Sequence, residues 1–391
     1  MKTNKRIFKI ENTLWEYYKN DNSTNVGLYI GLSGFILFYD SLYEVYKNDE
    51  FEEKLLEIIE KTNEIIEEQQ NGIFSTLCSG IAGYGLVLSR IKNKNIDISE
   101  EYFESIDSLL LDDFIEFYES NRYDFMHEAM GVAMYFIERY KKSGNKGIED
   151  VLLDFSKSLI TKIHDNFQDI LIKTNEGRGK HYSLGIAHGI AGYVNFLIYL
   201  KKHFSPLNIE ISESLKICLA LLHQNKKYDS RTKQYYQNVV IIDDEKGIPS
   251  RLSWCQGDLG ISNAIFNAGV YLQEDSMIQE SIDLMNNCAR IKYEESGVVD
   301  FGFCHGTAGV LIQLFLSSKK NNIDYSAEID RWFLVLKEQT QDFEKFPWYS
   351  NKDNKYIEEM NLLVGAAGLG LTLLTIDKKI DSNWLEIFNL H

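Results

Sequence analysis

Short apolar runs at helical spacing recur along the whole 391-residue chain, and each run follows a characteristic glycine pattern. After Gly309, for example, the mostly apolar stretch from Val310 to Phe315 is typical of a buried helix. Between these runs lie amphipathic stretches such as 52–69, whose leucines and isoleucines fall on one side of a helix. The alternation predicts a series of helix pairs, each with an apolar inner helix and an amphipathic outer helix.

The glycine pattern forms a repeat of seven copies, in which a first glycine is followed three residues later by a second one. Glycine allows a tight turn at a helix start and lets backbones approach closely. The second glycines are about 50 to 70 residues apart, which leaves room for two helices of about 15 residues and their connections. The copies begin at Gly31, Gly80, Glu128, Gly189, Gly257, Gly306 and Gly365, with the first glycine replaced in the third copy.

Seven helix pairs predict an all-α protein whose architecture is an α/α toroid, with about seven inner and seven outer helices. An open solenoid is the competing interpretation, and periodicity alone does not decide between the two. Only 3 prolines occur, which agrees with long uninterrupted helices. Because no linker divides the chain, we predict a single toroid domain over 1–391. Within it, the β-branched run 239–242 predicts a strand-containing loop or small insertion at 224–250.

Charge and terminal sequence narrow the class of protein. The formal net charge of −17 argues against nucleic acid as a partner, because nucleic acid requires a basic face. It would favour a cationic partner, although a solvated acidic surface explains the same charge. The first residues, 1–6, lack the apolar run of a signal peptide, and no stretch predicts a transmembrane segment. We therefore expect a cytoplasmic protein whose five cysteines stay reduced, which gives weight to metal-binding or reactive roles for some of them, while Cys218 and Cys288 are interpreted as structural.

Residues that can bind a metal stand directly before three of the glycine pairs. Cys255 precedes the fifth pair, Cys304 and His305 precede the sixth, and His188 precedes the fourth. If the repeat holds, these residues occupy equivalent places at one mouth of the toroid. Two thiolates and one imidazole suit zinc and leave its fourth tetrahedral position open, as in catalytic sites. A lone cysteine–histidine pair is more often inert, but two cysteines at matching positions of adjacent repeats are a stronger signal.

Other polar residues near the mouth allow more than one interpretation. His188 fits a fourth metal ligand, a general acid or a hydrogen-bonded core histidine. Asp124 stands at the third unit, where a lone aspartate is usually a helix cap. Arg251 would place a cation beside the metal or form a surface salt bridge, and Cys78 is read as a small buried residue. We assign no role to the remaining histidines, which include His127.

These features together resemble the lanthionine synthetase C-like family, and the resemblance extends over nearly the whole chain. The family's fold is an α/α toroid of seven inner and seven outer helices. Its bacterial members also carry a small SH2-like extension, whose boundaries are not apparent in this sequence. The most specific parts of the resemblance are Ser253-Trp-Cys-Gln-Gly257, Phe303-Cys-His-Gly306 and Gly185-Ile-Ala-His-Gly189.

The resemblance implies a role for individual residues. It implies zinc (Zn²⁺) as the cofactor, with Cys255, Cys304 and His305 as its ligands. It also implies an acid/base role for His188, with Arg251 and Asp124 held near the metal. The chain departs from the family at Gln256, where these cyclases often have tyrosine, and this departure affects substrate contacts near the metal.

The activity that the resemblance implies is that of a lanthipeptide cyclase. A precursor peptide that already carries dehydroalanine or dehydrobutyrine is the implied substrate, and a complex with a dehydratase and an export transporter is implied as well. Such a complex would place the cytoplasmic protein at the periphery of a membrane-associated assembly. Zinc would keep a peptide thiol as thiolate, which attacks the β-carbon of the dehydro residue. Arg251 would then face the enolate, and His188 would protonate the α-carbon.

Two other functions compete with this one. The first is a zinc-dependent protein that binds thiols or glutathione without cyclase activity. The second is a carbohydrate-acting toroid, which would need paired carboxylates at the mouth and would not need two cysteines and a histidine. A neighbouring gene for a dehydratase and a short precursor rich in Cys, Ser and Thr would favour the cyclase.

Overall fold

The computed structural model describes residues 2–20, 24–69, 72–175, 179–242 and 244–391, which are mostly α-helical. The predicted all-α class is therefore confirmed. None of the helices in these ranges combines the length and the apolar character needed to cross a membrane. In chain order the helices are α1 (Lys2–Asn20), α2 (Ser33–Tyr46), α3 (Asp49–Glu68), α4 (Ile81–Ser89), α5 (Glu100–Glu119), α6 (Ala129–Ser143), α7 (Lys146–Leu171), α8 (Ile190–His203), α9 (Ser212–Gln224), α10 (Asp258–Leu272), α11 (Asp275–Arg290), α12 (Tyr293–Ser296), α13 (Thr307–Asn321), α14 (Ser326–Gln339) and α15 (Ala366–Ile376).

The helices form two concentric layers. Helices α2, α4, α6, α8, α10, α13 and α15 follow the seven repeat positions and are buried over most of their surface. Each of them contacts the next, and α15 contacts α2, so the inner layer closes on itself. Helices α1, α3, α5, α7, α9, α11 and α14 pack outside this ring. The α/α toroid is thus confirmed, and ring closure rules out the open solenoid.

The second glycine of each repeat is required by the turn that precedes its helix. A Cβ atom at Gly309 would overlap the carbonyl oxygen of Phe303, six residues earlier, and one at Gly192 would overlap that of Ile186. Each inner helix therefore begins against the backbone of its own turn, and only a residue without a side chain fits there. This local packing explains why the glycine spacing identifies the inner helices.

Backbone hydrogen bonds connect the turns of neighbouring units into what we call the turn ring. Its members are the residues two positions before the first glycine position of each repeat: Tyr29, Cys78, Met126, Ala187, Cys255, Cys304 and Leu363. The N–H of Cys304 donates to the carbonyl of Leu363 at 2.8 Å, and the N–H of Leu363 donates to that of Tyr29 at 2.9 Å. Equivalent bonds join the first unit to the second, the second to the third, the fourth to the fifth and the fifth to the sixth. The turns at this mouth are therefore held close together.

Short strands rise from the mouth beside the turns. Strands β1 (Lys173–Asn175), β2 (Gly179–Ser183), β3 (Val239–Ile241) and β4 (Asp244–Ile248) form an antiparallel sheet in that order. Strands β5 (Pro347–Ser350) and β6 (Lys355–Glu358) form a separate hairpin. Only the region of β3 and β4 was expected to contain a strand. The others lack a strand signal because they are short and partly exposed, as in β1, where all three residues are exposed.

The segment 383–390, which we call the central plug, lies beneath the turn ring. It contains a 3-10 helix (Asn383–Phe388). The ring of its last residue, Phe388, stacks on the ring of Phe303, with the two centroids 4.0 Å apart. The indole N–H of Trp254 donates to the Phe388 carbonyl at 2.9 Å, and the hydroxyl of Tyr29 donates to the carbonyl of Ile387. The plug therefore contacts residues from three different units, and two of these residues precede Cys255 and Cys304.

Candidate metal centre

The turns before α10 and α13 bring Cys255, Cys304 and His305 together. One ligand atom from each residue lies within 4.8 Å of the other two. Zinc bonded to sulfur and nitrogen at about 2.1 to 2.3 Å would need these atoms only slightly closer to one another. Cys304 is buried, whereas the other two side chains are partly exposed. Two sulfurs and one imidazole that face a common point fit zinc and leave one coordination position for another ligand.

The two cysteine side chains act on each other, and their pKa values move in opposite directions. The hydrogen bond from the Cys304 thiol lowers the pKa of Cys255 well below its ordinary value, although burial opposes this shift, and His305 lowers the pKa further. The same hydrogen bond, together with burial, raises the pKa of Cys304. The lowered pKa of Cys255 favours its thiolate form, and because cysteine binds metal ions as thiolate, this arrangement favours a cation.

Asp300 lies behind His305, and sequence reasoning gave it no role. Its Oδ2 lies 3.9 Å from His305 Nε2, and its Oδ1 accepts the N–H of Gly302 at 3.0 Å. Burial raises the pKa of Asp300, while His305 and Arg251 oppose that shift. Its Oδ2 has no hydrogen-bond partner among the described residues. At 3.9 Å the carboxylate is beyond hydrogen-bond distance of the ring, so Asp300 acts on His305 through its charge. In the sequence, Asp300 resembles an ordinary turn aspartate.

Asp124 and His188 meet where the third and fourth units adjoin. Within the described ranges no backbone hydrogen bond connects the ring members of these two turns, and we call this step the seam. A side-chain bond spans it instead, from His188 Nδ1 to Asp124 Oδ2 at 2.8 Å. Asp124 Oδ1 accepts the backbone N–H groups of Met126 and His127, both at 3.0 Å. Asp124 is therefore a turn cap and also the partner of His188.

Glu128, which replaces the missing glycine of the third repeat, supports this arrangement. Its Oε2 accepts the backbone N–H of Asp124 at 2.9 Å, and its Oε1 accepts Arg122 Nε at 3.2 Å. Lys173 Nζ lies 3.4 Å from Glu128 Oε2. The residue that interrupts the glycine pattern thus holds the backbone of Asp124 in place.

The pKa values of the histidine and the aspartate move in opposite directions. Burial would lower the pKa of His188, but the charge and hydrogen bond of Asp124 outweigh burial and raise it. Burial would raise the pKa of Asp124, and His188 reverses this and lowers it. The pair therefore favours imidazolium and carboxylate. The His188 side chain is 46% exposed to the cavity, so water screens part of the interaction.

His127 is the second histidine at the seam, and sequence reasoning missed it. It precedes Glu128 just as His188 precedes Gly189, so the two residues occupy equivalent positions of adjacent repeats. Their rings lie at 10° to each other with centroids 5.6 Å apart. Burial lowers the pKa of His127, although Asp124 opposes that shift. Alignment of the repeats would have revealed this histidine, had the third copy kept its first glycine.

Arg251 and Gln256 complete the surroundings of the cysteines. The positive charge of Arg251 acts on Cys304, whose pKa it lowers against the raising effects of Cys255 and burial. Gln256 lies in the turn between those of His188 and His305, and its Oε1 has no hydrogen-bond partner among the described residues. Arg251 thus contributes a positive charge beside Cys304, and Gln256, the residue after Cys255, contributes an unused acceptor.

Two cavities meet at Cys304 and Leu363. The first, of about 430 Å³, contains Asp124, His188 and Cys255 and is walled by residues of β2 and β3. The second, of about 580 Å³, contains His305 and is walled by Trp348 of β5 and by residues of the first unit. A chain that crosses the mouth would therefore have space on both sides of the cysteine sulfurs.

Comparisons with known proteins agree with this architecture. A family model described as lanthionine synthetase C-like protein matches residues 22–389. Among solved structures, nisin cyclase aligns with a TM-score of 0.76 and 17% sequence identity, covering 97% of this chain and 96% of that one. A sugar epimerase from a ruminal bacterium aligns with a TM-score of 0.45 and 12% identity, covering 97% of this chain and 100% of that one. No curated protein sequence matches the chain.

Proposed function

The chain belongs to the lanthionine synthetase C-like family, and we propose that it is a zinc-dependent lanthipeptide cyclase. The reaction joins a peptide cysteine to a dehydroalanine or dehydrobutyrine of the same peptide and forms a thioether ring. The observation that carries the proposal is the meeting of Cys255, Cys304 and His305 at the edge of a cavity that also holds the hydrogen-bonded side chains of His188 and Asp124. The fold is shared with a protein named nisin cyclase, and cyclisation is the type of reaction proposed for this chain.

Cys255, Cys304 and His305 would hold the metal. Zinc in this place would lower the pKa of the incoming peptide thiol, so that it reacts as a thiolate at neutral pH. Asp300 would act on His305 through its charge. The positive charge of Arg251 would favour negative charge that develops on the substrate near Cys304.

His188 would supply the proton that completes the reaction. The sulfur–carbon bond forms at the β-carbon of the dehydro residue, and the electron pair of the double bond moves to the α-carbon and its carbonyl. Asp124 holds the Nδ1 proton of His188, so Nε2 is the nitrogen that gives its proton to the α-carbon. The thiol proton that was lost at the start restores the imidazolium at the end, and the peptide mass is unchanged.

The two cavities favour a peptide as substrate. Together they extend from the β2–β3 sheet to the hairpin of β5 and β6, with the cysteine sulfurs between them. Gln256 offers an acceptor for a backbone N–H of the peptide. We propose a dehydrated precursor peptide as the partner and 1–391 as one catalytic domain, with 224–250 contributing a wall. A complex with a dehydratase and an export transporter remains a prediction from the family resemblance.

The direct test is incubation of the purified protein with a dehydrated, cysteine-containing precursor. We expect free thiols to disappear at unchanged peptide mass, and the Cys304→Ala variant to lose both bound zinc and ring formation. Cys78→Ala is the matched control, because Cys78 is a buried thiol at the equivalent position of another turn, and burial raises its pKa to about 12. Complete cyclisation by a metal-free Cys304→Ala protein would refute the mechanism. Zinc and thiol binding without any ring would instead favour the thiol-binding function.

A further inference from the structure

We propose that Asp124, His127 and His188 form a second divalent-cation site, and that zinc bound there inhibits the cyclase. The inhibitory role rests on the proposed function, whereas the binding site itself does not. The site lies at the seam, where the third and fourth turns meet. Its residues come from a different pair of turns from those that carry Cys255, Cys304 and His305.

The donor atoms of the three residues are already close together. One ligand atom from each residue lies within 4.8 Å of the other two. Two imidazole nitrogens and one carboxylate oxygen are a common ligand set for zinc and other transition metals. Asp124 is 9% exposed, while both histidines are exposed, so a cation can reach the cluster from solvent.

The seam also allows these donors to adjust. Six steps of the turn ring are fixed by backbone hydrogen bonds, but among the described residues this step is spanned by the side chains of Asp124 and His188. The rings of His127 and His188 are nearly parallel and separated by 5.6 Å, without a direct hydrogen bond between them. Small movements of the two turns can therefore bring the three donor atoms to metal-binding distances.

The neighbouring charges set the order in which the two sites fill. Arg122 and Lys173 both approach Glu128, so two cations share one carboxylate beside the cluster. Glu128 neutralises only one of these two positive charges, and the other opposes a metal ion at the seam site. The cysteine centre carries two sulfurs that become thiolates, and their two negative charges exceed the single positive charge of Arg251 that acts there. We therefore expect the cysteine centre to fill first and the seam site to fill at higher zinc concentration.

Occupation of the seam site would remove the proton donor. The Nδ1 atom of His188 now holds a proton that is bonded to Asp124. When zinc binds Nδ1, this proton is released to solvent and the imidazolium ceases to exist. The remaining N–H of a neutral, metal-bound ring is a much weaker acid than imidazolium, so protonation of the α-carbon would stop. Zinc would thus be required at one site and inhibitory at the other.

The binding test uses zinc alone and measures the number of ions per chain by equilibrium dialysis and elemental analysis. We expect two ions for the wild type at high zinc, one for Cys304→Ala and one for His127→Phe. The last variant should lose the weaker ion.

Cobalt provides a second readout, because the first equivalent should show thiolate charge-transfer absorption and the second should add none. His127→Gln, which keeps a polar side chain, should bind as His127→Phe does. His223→Phe, a change at a histidine that pairs with Glu280 elsewhere, is the control and should bind two ions.

The inhibition test measures cyclisation of the dehydrated precursor at increasing free zinc. We expect the wild type to lose activity as the second ion binds, and His127→Phe, measured relative to its own rate at low zinc, to require at least about tenfold more zinc for inhibition. If His127→Phe binds two ions with wild-type affinities, the second site is refuted although the cyclase function stands. If the wild type binds two ions but never forms a ring, the site stands and the proposed function fails. Equal zinc inhibition of both proteins would refute the inhibitory role.

Discussion

Asp124 has two tasks that a single carboxylate can perform together, because its two oxygens face different groups. One oxygen caps the backbone of its own turn, and the other holds the imidazole of His188 from the next unit. The bonds from the backbone N–H groups fix the position of the carboxylate. The carboxylate can therefore orient the His188 ring although no backbone hydrogen bond joins the two turns at the seam. Removal of the charge should therefore change the chemistry of His188 more than the fold.

The pH dependence of cyclisation tests this relation. If His188 donates a proton, activity is kept below its pKa and is lost as pH rises through it. Since Asp124 raises that pKa, an Asp124→Asn variant should lose activity at lower pH than the wild type does. The measurement is kcat/KM against pH with a dehydrated peptide. An alkaline limb that does not move in Asp124→Asn would contradict the assignment.

Replacement of His188 itself separates proton donation from metal binding. We expect His188→Phe to retain zinc, because its ring is not one of the three ligands of the cysteine centre, and to cyclise about 10² to 10⁴ times more slowly. Thiol loss and product stereochemistry are the measurements, with zinc content as the control. An unchanged rate together with unchanged stereochemistry would show that another group donates the proton.

At the residue scale, the sequence pointed to residues beside the glycine pairs, including Asp124 beside the interrupted third pair, and missed His127 and Asp300. Cys255, Cys304, His305 and His188 are visible because the repeat aligns them. His127 was missed because Glu128 interrupts the pattern directly after it. Asp300 was missed because its role depends on the depth at which the turn is buried, which no spacing in the sequence expresses.

At the scale of the elements, the central plug supports the metal centre from below. Phe388 is fully buried and contacts both Trp254 and Phe303, the residues directly before the two ligand cysteines. The turns that carry the cysteines therefore rest on a segment far away in the sequence. The apolar character of this segment is visible in the sequence, but its place inside the ring depends on how the toroid closes.

Truncation of the plug's central ring should loosen the metal centre. We expect Phe388→Ala to lower the free energy of unfolding by about 3 to 5 kcal/mol, as for other buried aromatic side chains, and to weaken zinc binding. Chemical denaturation and competition with a chelator are the measurements. The control is Phe74→Ala, because the Phe74 side chain is mostly exposed and should cost little. Wild-type zinc affinity in a destabilised Phe388→Ala protein would show that the plug stabilises the fold alone.

The inner helices and the strands differ in how well the sequence predicts them. An inner helix needs a glycine where it meets the carbonyl of its own turn, as at Gly309. This local requirement puts a glycine at a fixed position of each repeat, where it can be recognised in the sequence. The strands of the cavity walls are three to five residues long and carry exposed side chains, as in β1. Their pairing depends on turns brought together by the toroid, so little of it is encoded locally.

For the molecule as a whole, a metal bound at the proposed cysteine centre would join turns that a closed apolar ring already holds in place. The three ligands lie on the turns before α10 and α13, outside the helices themselves. The inner helices are buried over most of their length and do not depend on the metal for their packing. Metal binding should therefore stabilise the fold without being required for it.

Removal of zinc by a chelator should thus lower Tm and leave the helical content unchanged. A ligand that binds only the folded state at about 1,000 times its Kd contributes about 4 kcal/mol, which corresponds to several degrees in Tm. Thermal unfolding followed by far-UV circular dichroism, with and without one equivalent of zinc, is the measurement. In Cys304→Ala the shift should be absent. Loss of helix in the metal-free wild type would show that the toroid itself needs the ion.

The unequal bonding of the turn ring has a consequence for which substrates can enter. Six junctions around the mouth are tied by the backbone, and the seventh is spanned by the side chains of Asp124 and His188. When a bulky peptide loop presses on the rim, the rim should widen at that junction, while the junction between the two ligand cysteines keeps its spacing. If the mouth widens only at the seam, the spacing of the two cysteines stays the same for every substrate. One enzyme could then form thioether rings of several sizes.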